Sequence, residues 1–185
     1  GRVGMTGGSG NGVCADMAFF AKPPHLVVVQ PIPGNTYLHW AFDNGLRRWL
    51  YGWLMHRGMA VKDWPRPTTF AYDFARWKRL VEEAAKDNKT VYLGGSGWYD
   101  LYLDAPLDYF PILSPTCKIY LTVNARFHAG SPEVLAGNVR GAPRSVGASF
   151  MEVLKGKQPA TRPFVNYLVL GDVKDPAGPP TQWRS

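Results

Sequence analysis

The sequence is poor in the residues that staple small folds or hold metals. Of its 185 residues only two are cysteine, Cys14 and Cys117, and only four are histidine. The cysteines lie far apart, with no C-x-x-C, which argues against a disulfide framework and a structural zinc. No two of His25, His39, His56 and His128 have the spacing of a metal-binding face, so neither a metal nor a cofactor is expected. No apolar run is long enough to span a bilayer. The opening stretch, Gly1 to Gly12, does not read as a signal peptide. These features favour an intracellular, reducing compartment: nucleus, cytoplasm or mitochondrion. Charged residues are sparse at 19%, but the hydrophobic fraction of 45% is ordinary for a globular chain and argues against wholesale disorder.

Glycine (20), proline (16) and tryptophan (7) are abundant instead. The first two imply many turns, and the tryptophans need a core or a partner surface to cover them. The formal charge is +7, and from Lys118 onward nine Lys/Arg stand against four Asp/Glu, so +5 of it falls in the last third. That balance suits nucleic acid or an RNA-rich assembly, or is a solubility charge with no specific partner.

The chain is organised around His25-Leu-Val-Val-Val-Gln-Pro-Ile-Pro-Gly-Asn35. Its β-branched run predicts a buried strand ending in a rigid loop. Lys89–Leu93, Lys118–Val123 and Phe164–Leu170 predict further strands. Leu46, Trp49, Leu50, Trp53 and Leu54 share one helical face, which predicts a helix over 42–57. A second helix is predicted from Thr68 or Thr69 to about Asn88, and a short one within 146–154. Gly94–Gly97 reads as a tight turn and 104–117 as a proline-punctuated loop. Alternating strands and helices call for a single α/β domain over 13–172. Its central sheet would be largely parallel and flanked by helices, in three layers. A flexible Gly-rich arm (1–12) would precede it and a Pro-rich tail (173–185) follow. A Gly-rich run cradles phosphate only between a strand and a helix, and no strand is evident ahead of this one.

Several constellations suggest chemistry. Gly94-Gly-Ser96-Gly-Trp98 occupies the place of a nucleophile elbow, but Trp98 is too large for that tight turn. Cys14 follows a glycine-rich loop, yet no oriented histidine completes a thiolate pair. His128 lies in a loop after a strand, with Arg140 and Arg144 among glycines beyond it. It reads either as an anion site or as a solvated loop histidine.

Taken in order, Val27-Val-Val-Gln-Pro-Ile-Pro-Gly34, Val91-Tyr-Leu-Gly-Gly-Ser-Gly-Trp98 and His128-Ala-Gly-Ser-Pro132 with Arg140-Gly141 resemble the uracil-DNA glycosylase superfamily. The resemblance covers roughly residues 25–155. It implies a glycosylase-like α/β fold and a base flipped from the stack into a pocket. It assigns His128 to the developing negative charge, Gln30 or Asn35 to orienting water, and Tyr37 or Phe42 to stacking. Ser131, Arg126, Arg140 and Arg144 would hold the nucleic acid. The first loop departs from the family: Gln30, Pro31 and Ile32 stand where it keeps an Asp, Asn or Glu. The resemblance therefore allows either a uracil-excising hydrolase or a binding domain that has lost catalysis.

Two readings from other classes stand beside it. One is a non-catalytic accessory subunit of a large assembly, such as a mitochondrial ribosome or respiratory complex, touching proteins through exposed aromatics such as Trp64 and Trp98. The other is an α/β hydrolase or thiol enzyme.

Overall fold

A computed structural model of the chain describes residues 1–32, 42–43, 46–47, 74–100, 102–127, 148–169 and 182–185. Its centre is a six-stranded sheet. The strands are β1 (Val3–Gly7), β2 (Leu26–Pro31), β5 (Val91–Tyr99), β6 (Ile119–Phe127), β7 (Phe164–Val169) and β8 (Gln182–Arg184), in that spatial order. The first five run parallel and β8 pairs antiparallel to β7. Two short strands, β3 (Phe42–Asp43) and β4 (Leu46–Arg47), pair with each other alone. The helices are α1 (Gly10–Ala21), α2 (Phe74–Ala85), α3 (Asp104–Leu113) and α4 (Phe150–Leu154). This is the expected α/β architecture with a largely parallel sheet.

The alternation of side chains along each strand divides the core in two. On one face Val29, Tyr92, Ile119 and Leu121 pack with Phe19 and Phe20 of α1, Trp77 and Val81 of α2, and Tyr109 and Leu113 of α3. On the other, Val28, Leu93, Tyr120 and Phe164 pack with Val153 and Phe150 of α4. Burying a side chain of this size fully stabilises by roughly 1.5–3 kcal/mol, so the two clusters fix the sheet between its layers.

Local chemistry explains the ends of the helices. α1 stops at Lys22, whose backbone is left-handed (φ 48°), and Pro23-Pro24 follow. The Lys22 ammonium then donates to the carbonyls of Glu83 and Lys86, tying the end of α1 to that of α2. α4 opens with a capping box: Glu152 donates its amide to the Ser149 hydroxyl, and the Glu152 carboxylate accepts from the Ser149 amide.

Several sequence expectations are corrected. The stretch 1–12 is not a free arm, since Val3–Gly7 is a strand and Gly10 opens a helix. Pairing holds it there: Val3 donates its amide to His25, Met5 packs on the core, and the Thr6 hydroxyl donates to the Gln30 carbonyl. Gly94–Gly97 is not a turn but the middle of β5, hydrogen-bonded along β6. The loop expected at 104–117 holds α3, because Pro106 sits in its first turn, where its missing N–H costs nothing, and Pro111 lies near its end. The helix expected from Phe42 does not begin there: 42–43 and 46–47 form an antiparallel pair. The rest of that expected helix lies outside the described residues. Within the expected tail, Gln182–Arg184 adds β8 to the sheet.

Candidate functional site

Because β1, β2, β5 and β6 run parallel, their carboxyl ends line one edge of the sheet, where open α/β sheets bind ligands. Two features meet there. One is the turn Gly7-Gly-Ser-Gly-Asn-Gly12, which joins β1 to α1. Two of its glycines, Gly7 and Gly8, are required by contact. A Cβ on Gly7 would lie 2.6–2.7 Å from Asn11, backbone included, and one on Gly8 would lie 2.7 Å from the Ile32 carbonyl oxygen. The turn is pinned to β2 by the Ile32 amide donating to Gly7 at 2.8 Å. Ser9 takes a positive φ (55°) and gives α1 no side-chain cap. Asn11 donates its amide to Gly8 and Val13 to Ser9, while the amides of Gly10 and Gly12 have no partner among the described residues. A strand, a glycine turn and a helix that opens on the exposed Gly10 make the arrangement that favours an anion, while Gly12 is buried in the first turn.

The second feature is a row of neutral polar side chains on the α4 face of the sheet, in the half toward the same edge. Thr6 pairs with Gln30, and Thr122 stands in register between Gly95 and Asn166. Asn124 follows two residues later on the same face, opposite Gly97. Asn166 is buried, and the Asn124 carboxamide oxygen is buried without a hydrogen-bond partner. A buried amide oxygen with no partner costs about 1–3 kcal/mol, which a ligand donor would recover. Gly95 and Gly97 carry no side chains between these amides; Gly97 is buried, and the Ile32 side chain lies over Gly95, 3.6 Å from where a Cβ would stand.

The expected site residues divide accordingly. Gln30 lies in β2, half-buried, on the face that carries this row. Arg126 falls in β6 and Phe42 in β3, with their side chains outside what is described. His128, Asn35, Tyr37, Ser131, Arg140 and Arg144 lie outside the described residues. Sequence reading missed Thr6, Thr122, Asn124 and Asn166. The signal was present as polar residues at alternate positions of otherwise apolar strands, as in Tyr120-Leu-Thr122-Val-Asn124.

Other candidates fare differently. Ser96 sits mid-sheet rather than on an elbow, facing a void of about 10 Å³ beneath Leu103, Pro106 and Leu107. Its hydroxyl has no partner there, and the void is of the order that holds one water. Cys14 is exposed on α1, whereas Cys117 is buried with its thiol pushed up by that burial. Among the described residues no three His, Cys, Asp or Glu side chains converge as metal ligands, and no helix is long and apolar enough to cross a membrane.

One carboxylic acid is wholly buried in the opposite core, between two buried phenols. Asp16 of α1 accepts from the Tyr92 hydroxyl at 2.7 Å and lies 3.3 Å from that of Tyr109, and the two phenol oxygens are 2.5 Å apart. Burial pushes its carboxyl up to about 7 against the pull of both hydroxyls. Both phenols are raised well above their usual range, chiefly by burial and then by the charge of Asp16.

No protein-family model and no curated protein matches this chain.

Proposed function

We propose that this domain binds a nucleotide unit along the carboxyl edge of its sheet, as a glycosylase-like domain would hold a base taken out of a nucleic-acid strand. The Gly7–Gly12 turn would receive the phosphate, and Gln30 and Asn124 would read the edge of the base. The observation that carries the reading is the β1–glycine turn–α1 unit standing beside the amide row. Carboxamides suit the task, since each offers a donor and an acceptor to a base edge. The net charge of +7 favours a polyanionic partner. Among the described residues no carboxylate stands in the row, so Gln30 and Asn124 orient a ligand without deprotonating water. Excision would fall to His128, with Asn35 orienting the water.

The test is anisotropy of labelled single- and double-stranded oligonucleotides containing uracil, with uridine monophosphate as competitor and an abasic-site assay in parallel. Asn124→Ala is expected to weaken binding at least tenfold, and Gln30→Ala less. Undiminished binding by Asn124→Ala, or no binding at all, would overturn the reading. Excision retained by His128→Ala would overturn that residue's assignment.

A second reading has its own support. Tyr99 is 56% exposed and Trp98 38%, with Trp98 edge-on to the exposed Tyr167 at 6.4 Å. This aromatic cluster at the end of β5 suits a protein contact of the kind an accessory subunit makes.

A further inference from the structure

The opposite edge of the sheet carries a different surface. A concave site of about 420 Å³ opens at the amino ends of the strands, on the α4 face. Its walls hold Arg2, Lys89, Lys118 and Lys157, its floor includes Val27 and Val91, and no acidic or aromatic side chain lines it. The cations are placed by the fold. Arg2 precedes β1 and donates from Nε and Nη2 to the carbonyls of Leu154 and Val153, at the end of α4. Lys118 precedes β6 and donates to the Gln158 carboxamide at 2.8 Å. Lys89 precedes β5 and has no partner among the described residues. Lys157 is paired with Glu152 at 2.9 Å.

The charge balance of this site is one-sided. Glu152 offsets Lys157, but Arg2 and Lys118 are held by neutral oxygens and Lys89 by none. Three positive charges therefore face one cavity whose own lining holds no carboxylate, although Asp87 lines the adjoining concavity that shares Lys89. Like charges gathered in a concavity repel one another, and an anion that enters is attracted by all of them. The size is that of a small-ligand site. The absence of aromatic rings removes the stacking platform that single-stranded nucleic acid uses.

We propose that this amino-edge cavity is a binding site for a small polyphosphate group, such as a free triphosphate or pyrophosphate moiety. Lysine ammonium groups act as point charges and donate to tetrahedral phosphate oxygens in several directions, whereas planar carboxylates gain most from forked, bidentate arginine contacts. The site lies roughly 25 Å from the carboxyl edge, at about 3.3 Å per residue along β5, and its assignment is independent of the function proposed there.

Inorganic tripolyphosphate titrated calorimetrically into the full chain at 0.15 M salt tests it. Lys89→Gln is expected to weaken binding several-fold and Lys89→Gln/Lys118→Gln at least tenfold. Lys78→Gln, on the exposed face of α2, should bind as the parent does. Lys89 is exposed and makes no hydrogen bond or ion pair among the described residues, so its single variant keeps the test valid if the double variant folds poorly. Citrate, a polyanion of planar carboxylates, is expected to bind at least tenfold more weakly. No binding of tripolyphosphate, equal binding by the Lys89 variant, or equal binding of citrate would overturn the proposal. So would displacement of tripolyphosphate by a single-stranded oligonucleotide with a steep salt dependence, which would make the site a nucleic-acid surface.

Discussion

Asp16 makes the fold's stability depend on pH in the direction opposite to most carboxylates. The three contacts close into a ring when Asp16 carries a proton. Tyr92 donates to one carboxyl oxygen, the other carboxyl oxygen donates to Tyr109, and Tyr109 donates to Tyr92, whose oxygen lies only 2.5 Å away. When Asp16 ionises, both phenols turn toward the carboxylate and their close oxygens lose the proton between them. The carboxyl rises from 3.8 to about 7 on folding. At 1.36 kcal/mol per unit, the ionised form weakens the fold by about 4 kcal/mol. A raised acid gives stability that is fully present below about pH 4 and lost as pH rises toward 7, with no further loss above. Asp16→Asn mimics the neutral acid: its oxygen accepts from Tyr92 and its nitrogen donates to Tyr109. Its second N–H is left unpaired in the core, at about 1–3 kcal/mol. Urea unfolding from pH 4.5 to 8.5 should therefore show curves that cross. The variant is less stable at the acid end and more stable, by about 1–3 kcal/mol, at pH 8. A difference between variant and parent that stays constant across this range would refute the reasoning.

Glu152 titrates the other way. The Ser149 amide, then Lys157 and the Ser149 hydroxyl hold its carboxyl down at about 2. Its contribution is present above the usual carboxylate range and fades toward pH 2, as acid titration of its side-chain resonance will register. Ser149→Ala removes the cap of α4 and should cost about 1 kcal/mol in urea unfolding, more than Ser114→Ala, whose side chain caps no helix start. Gly7→Ala drives a methyl group into the first turn of α1 and should cost about 1–3 kcal/mol, whereas Gly10→Ala, whose Cβ would meet nothing within 4 Å, should be tolerated. Equal effects at the two glycines would show that the turn is not packed as described.

The parts of the fold legible in the sequence are those whose own residues carry the signal. Val27-Val-Val29 and Ile119-Tyr-Leu-Thr-Val123 are β-branched or aromatic runs, and each forms a buried strand. Strands held by their neighbours were not legible. Val3–Gly7 has two glycines in five residues and is a strand because β2 pairs with it and Phe150 needs the space above Gly4. β5 continues through Gly94–Gly97 for the same reason, with a strand on one side and the Tyr92 ring and Leu121 filling the space at Gly94. Gln30 stood out in the sequence because it lies next to the end of an unmistakable strand. Asn124 and Asn166 were not, because a single polar residue in an apolar strand has no meaning until register sets it beside others. The Asp16 ring joins residues 76 and 93 positions apart, which no local pattern records.

The strand order has a consequence for how the chain is made. Each parallel strand of the large sheet lies against the one synthesised before it, from β1 through β7, so the sheet can lengthen in the order of translation. One layer breaks that order. α4 is built from residues 150–154 but packs over β1 and β2, against Val28 and the open side of Gly4. A nascent chain that has laid down its first four large-sheet strands therefore still presents a bare apolar surface on the oldest part of the sheet. A ribosome stalled before residue 150 holds a half-clad intermediate. That is the stage at which a holdase chaperone would have something to grip.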